Sequence, residues 1–180
     1  MFSPLRRNIL LLCLALVTGG CASKPIASFE NGRPLFDPLK FFTGRTHSWG
    51  IFETRSGQPK QIITTTTVGR MEADGLHFEQ DLVFEGGKKT HRSWIIRQVD
   101  AHRYTATGTG IVGTARAEAH GNVVRLDFTI DAFPGNPLGH LHMSQWMYLQ
   151  RDGVTMVNRA TLSKSGVIVA MITEQFRKDR

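Results

Sequence analysis

The sequence predicts an all-β protein with one folded domain, in which an antiparallel sheet closes into a barrel or a sandwich. From about residue 44 onward, segments of alternating polarity recur between turn signals such as Ser56-Gly57, Asp74-Gly75 and Gly121-Asn122. Short strands separated by regularly spaced turn signals are typical of antiparallel barrels and sandwiches. No segment has sustained helical periodicity. We therefore expect about 9–10 strands in a single domain long enough to bury its own core.

The N-terminal segment has the pattern of a secretory signal. Arg6 and Arg7 precede an unbroken apolar run, Ile9–Val17, which is much shorter than the roughly 20 residues that span a bilayer. Small residues then lead to Gly20 and Cys21, an arrangement that resembles the bacterial lipobox. The sequence thus predicts a signal peptide over residues 1–20, cleavage between Gly20 and Cys21, and lipidation of Cys21 with diacylglycerol and a fatty acid such as palmitate. An ordinary signal peptide with an incidental cysteine, or a transmembrane helix, is the alternative interpretation.

This interpretation also predicts where the protein works. Cys13 leaves with the signal, so Cys21 is the only cysteine of the processed chain and no internal disulfide can form. Ala22 follows the cysteine where aspartate would favour retention in the inner membrane. We therefore expect a lipoprotein anchored in the bacterial cell envelope, at the outer membrane and facing the periplasm.

A tether is expected between the anchor and the barrel domain. Residues 21–38 contain three prolines and no periodicity, and a short helical turn, PLKFF, follows at 38–42. The predicted organisation is a tether over 21–38 and a β-barrel domain over 39–180. A flexible chain of that length would hold the barrel roughly 20–25 Å from the membrane.

Charge and motifs exclude several classes of function. Without Arg6 and Arg7, 20 cationic residues face 15 acidic ones, a net charge of +5 that is scattered along the chain. A nucleic-acid-binding protein would cluster its cations with aromatic residues, so we expect no nucleic acid partner, only a modest attraction to anionic lipid. Nucleophile elbows, phosphate-binding loops and His-Glu-x-x-His motifs are absent, so no enzymatic activity and no cofactor are predicted.

Alternation along the strands indicates which side chains enter the barrel. In 76–84 and in 154–162, one amide, Gln80 or Asn158, interrupts an otherwise apolar row. A buried amide needs a partner, which can be protein, water or a ligand. Large aromatic side chains both pack barrels and line pockets, which adds Trp94, Trp146 and Tyr148 to Gln80 and Asn158 as candidate cavity residues.

Two histidines in the strand HLHMSQWMYLQ point to one side of it. His140 and His142 are two residues apart, as a metal-binding pair on a strand would be. No third ligand lies at a suggestive spacing, so no metal site is predicted.

Three stretches together resemble one bacterial lipoprotein family. They are GIVGTARAEAHGN (110–122), FFTGRTHSWGIFETRSG (41–57) and the run from Gln145 to Lys178 that contains Asn158-Arg159. The sequence is similar over nearly all of the predicted processed chain to the family catalogued as domain of unknown function 3833. This resemblance implies a lipocalin-like, or calycin-type, barrel and brings no catalytic residues with it.

Two functions therefore remain open. In the first, the anchored barrel binds or shuttles an apolar ligand such as a fatty acid or lipid. In the second, it is a structural or accessory envelope lipoprotein with a solid core and an unknown protein partner. A barrel of eight to ten strands can either pack solid or enclose one small ligand. An apolar cavity of several hundred cubic ångströms that reaches Gln80 or Asn158 is expected only for the first.

Overall fold

A computed structural model describes residues 23–179, and these residues form ten strands. The predicted signal peptide, the cleavage position and Cys21 lie outside the described residues. The strands are β1 (Gly44–Thr54), β2 (Pro59–Glu72), β3 (Gly75–Phe84), β4 (Lys89–Gln98), β5 (Arg103–Gly108), β6 (Ile111–His120), β7 (Val123–Asp131), β8 (His140–Leu149), β9 (Thr155–Lys164) and β10 (Val167–Lys178).

The ten strands form one closed barrel. Each strand pairs antiparallel with the next in sequence, and β10 pairs with β1 to complete the ring. The closing register places Ser48 opposite Phe176 and Phe52 opposite Ile172. Because the sheet closes on itself, no strand edge of the barrel is left without a neighbour. The all-β, single-barrel prediction is confirmed, and the strand number lies at its upper limit.

Alternating side chains divide the barrel wall into an inner and an outer face. Along β3, β7 and β9 the inward rows contain the apolar residues that the sequence pattern predicts, including Phe78, Phe128 and Met156. Their outward neighbours are mostly charged residues or threonine. A half-buried antiparallel sheet has this pattern because one face meets the core and the other meets solvent.

One short helix, α1 (Pro38–Phe42), covers the end of the barrel at which β1 begins. The Asp37 carboxylate caps it by accepting hydrogen bonds from the Leu39 and Lys40 amides at 2.9 and 3.1 Å, and Pro38 occupies the first helical position. Phe42 enters the barrel and packs on Phe78 with a ring-centroid separation of 5.4 Å. No helix of the described residues is long and apolar enough to cross a membrane.

Lys178 fastens α1 to the last strand. Its ammonium donates to the carbonyl oxygens of Lys40 at 3.0 Å and Phe41 at 2.9 Å, and also to that of Thr43. A cation at the C-terminal end of a helix satisfies carbonyl groups that have no partner within the helix. Helix α1 is thus held both by its apolar side chains and by a charged group from β10.

The segment before α1 is packed on the barrel, which differs from the tether predicted over residues 21–38. Ile26 and Phe36 are buried, and the Phe36 amide donates to the Gly121 carbonyl at 2.7 Å. Gly121 has a φ of +55° and leaves no room for a Cβ atom beside the Phe29 carbonyl, so a larger residue would displace the segment. The absence of periodicity has a physical reason: single apolar residues and one short 3-10 turn, Ile26–Phe29, attach this segment rather than a long helix or a strand.

Candidate ligand-binding site

The barrel interior contains a cavity of about 120 Å³, lined by side chains from α1 and from strands β2 to β10. Its apolar lining includes Phe42, Phe78, Trp94, Phe128, Met143, Met147 and Phe176. Its polar lining includes Thr65, Gln80, Arg92, Gln145, Asn158 and Glu174. The cavity reaches both predicted amides and also Trp94, but it is smaller than the several hundred cubic ångströms expected.

Aromatic packing accounts for the modest volume. The Trp94 ring lies 5.9 Å from that of Phe78 and 5.4 Å from that of Phe128, between centroids, in stacked and edge-to-face arrangements respectively. Phe42 extends this cluster toward α1. These rings fill the aromatic part of the barrel interior, because they pack in fixed geometries. The remaining cavity lies beside them, next to the polar side chains.

The first predicted amide, Gln80 on β3, is hydrogen-bonded within the barrel. Its Oε1 accepts from the Trp94 indole nitrogen at 2.8 Å, and its Nε2 donates to the Thr67 hydroxyl at 3.3 Å. The register of β3 and β4 places Gln80 directly opposite Arg92 and two residues from the Trp94 pair. Gln80 therefore orients the indole from the cavity wall, and protein groups alone satisfy both ends of its amide.

The second predicted amide, Asn158 on β9, belongs to a polar cluster inside the barrel with the buried Ser48 and the half-buried Glu174. Asn158 Nδ2 donates to one Glu174 oxygen at 3.2 Å, and the Ser48 hydroxyl donates to the other at 3.2 Å. Asn158 is 2% exposed, and its Oδ1 has no hydrogen-bond partner among the described residues. A buried oxygen without a donor costs about 1–3 kcal/mol. Asn158 thus presents an unused acceptor in the barrel interior.

Burial governs the protonation of Glu174. Removal from water raises the pKa of its carboxyl group, while the hydrogen bonds from Asn158 and Ser48 and the positive charge of Arg92 oppose the rise without cancelling it. A carboxyl group with a raised pKa can hold a proton and act as a donor at a pH where an exposed carboxyl cannot. Glu174 can therefore present either a donor or an anion to the cavity.

Arg92 on β4 is the cation of this interior. Its side chain is half-buried and lines the cavity, and burial lowers its pKa although the negative charge of Glu174 opposes that effect. Within residues 23–179, no carboxylate oxygen lies within 4.0 Å of its guanidinium. A guanidinium is a planar donor suited to carboxylates and phosphates. Arg92 thus keeps donors free for an anionic group.

Neither Glu174 nor Arg92 was among the predicted cavity residues. The signal was present in the sequence, because Ala170, Ile172 and Phe176 form an alternating apolar row that Glu174 interrupts. Arg92 stands in the same relation to Trp94 and Ile96. Such rows resemble the rows around Gln80 and Asn158, with a charged residue in place of the amide.

The structure corrects the placement of Trp146 and Tyr148. Both lie on the outer face of β8, where their rings face Phe29 at centroid distances of 6.4 and 6.3 Å. The inward residues of β8 are instead Met143, Gln145 and Met147. The pairing register decides this, since Trp146 lies opposite Arg125 on β7 and Arg159 on β9, which both point outward.

Two clusters of histidine and carboxylate side chains on the outer surface, among residues 23–179, each bring three potential metal-ligand atoms within 4.8 Å of one another. His102 and His120 stack at 4.4 Å between ring centroids, and His120 contacts Glu30 at 2.6 Å and Glu118 at 2.7 Å. Burial lowers the pKa of His120, but the two carboxylates outweigh it and the net pKa is raised. The raised pKa favours the charged form of His120, whose contact with Glu30 links the N-terminal segment to β6.

The second cluster joins His77 to Asp74 and Glu72 at the β2–β3 turn, with a His77–Asp74 distance of 2.6 Å. The predicted pair of strand histidines does not join either cluster. His142 instead lies 3.6 Å from Asp127 on the outer wall.

The closed ten-stranded antiparallel barrel, with a helix at one end and a partly polar internal cavity, has a lipocalin-like, or calycin-type, fold. The chain belongs to the family described as "Protein of unknown function (DUF3833)", whose model matches residues 15–178. The predicted family resemblance is thereby confirmed. No curated protein matches the sequence.

Solved structures support the fold. The chain is similar to the S-type phycobiliprotein lyase CPES from Guillardia theta, with a TM-score of 0.60 and 8% identity over 87% of this chain and 99% of that one. It is also similar to Rv2717c from M. tuberculosis, with a TM-score of 0.58 and 13% identity over 82% of this chain and 100% of that one. A DUF3598 protein of unknown function from Nostoc punctiforme has a TM-score of 0.55 and 12% identity over 88% of this chain and 53% of its own. At these identities the similarity establishes the barrel fold.

Proposed function

We propose that the barrel binds one small amphipathic molecule, with its apolar part among the aromatic and methionine side chains and its polar group at Arg92, Asn158 and Glu174. The observation that carries the proposal is the unused acceptor of Asn158, which lies with Arg92 and Glu174 beside the apolar side chains of the same cavity. A few convergent polar groups in an apolar pocket are the usual construction of a small-molecule site.

The head group of the ligand follows from the donors and acceptors. Arg92 offers free donors to an anion, Asn158 Oδ1 requires a donor, and Glu174 supplies either function according to its protonation. A protonated carboxylic acid matches this set, because its hydroxyl donates to the amide oxygen while its carbonyl oxygen accepts from the guanidinium. A fatty acid, or a lipid that presents its carboxyl end, is the ligand we favour.

Cavity volume limits the size of the bound part. About 120 Å³ is similar to the engineered cavity of about 150 Å³ that binds benzene. The cavity accommodates a head group and a short length of chain rather than an entire phospholipid. The remainder of a longer ligand would have to extend out of the barrel or displace side chains such as Met143 and Met147, whose unbranched side chains repack easily.

The N-terminal sequence supports the second part of the proposal, a lipid anchor in the bacterial cell envelope. Cys21 follows a basic and apolar signal and a run of small residues. We expect Cys21→Ala to abolish incorporation of labelled palmitate and to leave the signal peptide uncleaved. Label that persists in this variant would overturn the anchor without affecting the binding site in the barrel.

Ligand binding is tested with native mass spectrometry of protein purified from its own membranes, followed by titration with saturated fatty acids of increasing length. The fluorescence of Trp94 reports occupancy once Trp49 and Trp146 are replaced by phenylalanine. We expect saturable binding that Ala117→Leu on the cavity wall removes, while Thr114→Leu on the outer face of the same strand leaves it intact.

Two outcomes would contradict the binding proposal. If no fatty acid co-purifies or titrates, the barrel is a filled structural core, as the accessory-lipoprotein hypothesis requires. If Ala117→Leu and Thr114→Leu bind equally well, the fatty acid occupies the outer surface rather than the cavity.

A further inference from the structure

The outer wall carries a second site, a groove of about 330 Å³ between the N-terminal segment and β8. Its walls include the rings of Phe29, Trp146 and Tyr148, with the Trp146 and Tyr148 rings stacked at 6.5 Å between centroids. Trp146 and Tyr148 are half-buried, and the Trp146 indole nitrogen donates to no residue among 23–179. We call this surface the aromatic groove. It lies on the opposite side of the barrel wall from the cavity.

Basic residues surround the aromatic groove. Lys24 and Arg159 line it, and the Lys24 ammonium lies 4.8 Å from the centre of the Phe29 ring. The Arg125 guanidinium lies 5.5 Å from the Trp146 ring, although its charge is partly offset by Asp127 at 2.8 Å. No aspartate or glutamate lines the groove. Its charge is therefore complementary to an anionic surface.

The path of the chain indicates that this anionic surface is a lipid bilayer. Ser23 lines the aromatic groove, so Cys21 is two residues away, which is at most about 7 Å along an extended chain. The segment that follows is packed on the barrel rather than free. A lipid on Cys21 would thus enter the bilayer beside the groove, with no long tether to separate them.

We propose that the aromatic groove rests in the headgroup layer of an anionic bilayer, with Trp146 and Tyr148 at the interface and Lys24 and Arg159 against lipid phosphates. Trp and Tyr favour this layer because their rings are apolar and their edges are polar. Basic residues add attraction to anionic lipid. This orientation rests on the proposed lipidation of Cys21, and it brings the outer wall at β8 against the membrane.

Brominated lipids test the orientation, because they quench tryptophans that lie in the bilayer. The lipidated protein is reconstituted into vesicles of phosphatidylglycerol and brominated phosphatidylcholine. Trp146→Phe should lose the bromine-dependent quenching, whereas Trp49→Phe should keep it. Trp49 is a matched control because it is 54% exposed on the outer face of β1, three strands from β8 around the ring. Trp94 is common to both variants.

Removal of the two positive charges of the groove provides a second measurement. In Lys24→Gln with Arg159→Gln, the ratio of docked to undocked protein should fall about fivefold for each cation, equivalent to about 1 kcal/mol, and the quenching should fall with it. The fall should be absent in vesicles of brominated phosphatidylcholine alone. Equal quenching of Trp49 and Trp146 would overturn the orientation, and so would concentration-dependent cross-linking through Trp146 between copies of the chain.

Failure of the anchor and failure of the orientation give different results. Protein that neither carries palmitate nor floats with vesicles would refute the anchor and with it the orientation. Protein that carries the label and floats, but whose Trp146 is not quenched, would refute the orientation alone.

Discussion

Replacing Glu174 by glutamine tests whether the buried carboxyl group lowers the stability of the barrel. Burial raises the pKa of Glu174 above its ordinary value of 4.5, which the unfolded chain retains. Between the two values the folded state binds a proton that the unfolded state has lost. The free energy of unfolding must therefore decrease as pH rises, by at most about 1.4 kcal/mol per pH unit for one proton. The decrease ends when the pH passes the folded-state pKa.

Glutamine has no group that titrates in this range. The free energy of unfolding of Glu174→Gln minus that of the wild type should therefore increase with pH between the two pKa values and then remain constant. Urea unfolding followed by circular dichroism, from below pH 4.5 into the alkaline range, measures the difference. Taking the difference between variants cancels contributions from other titrating groups, including His120.

Ser48→Ala is the matched control, because it keeps the Glu174 carboxyl group and should strengthen the pH dependence that Glu174→Gln removes. The Ser48 hydroxyl donates to Glu174 and favours its charged form, so removal of the hydroxyl should raise the pKa further and extend the decrease to higher pH. Identical pH dependence of the wild type and Glu174→Gln would refute the reasoning.

Three further predictions concern the barrel and its two attached segments. Leu76→Ala should lower the free energy of unfolding in urea by about 2–5 kcal/mol, because Leu76 is fully buried. Lys178→Met should cost about 1.5–3 kcal/mol and increase amide hydrogen exchange in α1, since the charged donor to its last carbonyls is lost. The raised pKa of His120 means that its contact with Glu30 contributes fully below pH 6.5 and is lost as pH rises through the raised value. Limited proteolysis of the segment before α1 should accordingly speed up with rising pH in the wild type and not in His120→Gln.

Much of the fold could be predicted from the sequence because the alternation of polarity is strong in most strands. Where charged residues or threonines separate apolar ones, as in β7, the inward face is unambiguous. The inward positions of Gln80 and Asn158 followed from the same pattern. The strand count was also accessible, because Gly-containing pairs mark the turns.

The inward face of β8 could not be chosen from its own sequence, because both faces are partly apolar. Met143 and Met147 face the core, while Trp146 and Tyr148 pack under Phe29 on the outside. A strand whose outer face is covered by another segment loses the contrast on which the pattern depends. The neighbouring strands would have resolved it, since the residues opposite Trp146 are arginines.

The polar interior is difficult to explain by stability alone. Replacing a buried polar or charged pair with apolar residues of similar size is often neutral or stabilising, by about 1–4 kcal/mol. Asn158 keeps an acceptor without a donor, and Glu174 is half-buried, with a carboxyl group whose pKa is raised by its removal from water. Both features lower the stability of the barrel, although apolar residues at these two positions could also fill its interior.

A double variant separates the two explanations, because they predict opposite signs. If the cluster serves a ligand, Asn158→Leu with Glu174→Met should leave the free energy of unfolding unchanged or increase it, while fatty acid binding is lost. If the cluster is structural, the same variant should unfold more readily. Urea unfolding and the Trp94 titration, performed on one preparation, measure both quantities. A destabilised double variant that still binds fatty acid would show that Asn158 and Glu174 hold the barrel together and that the ligand's polar group lies elsewhere.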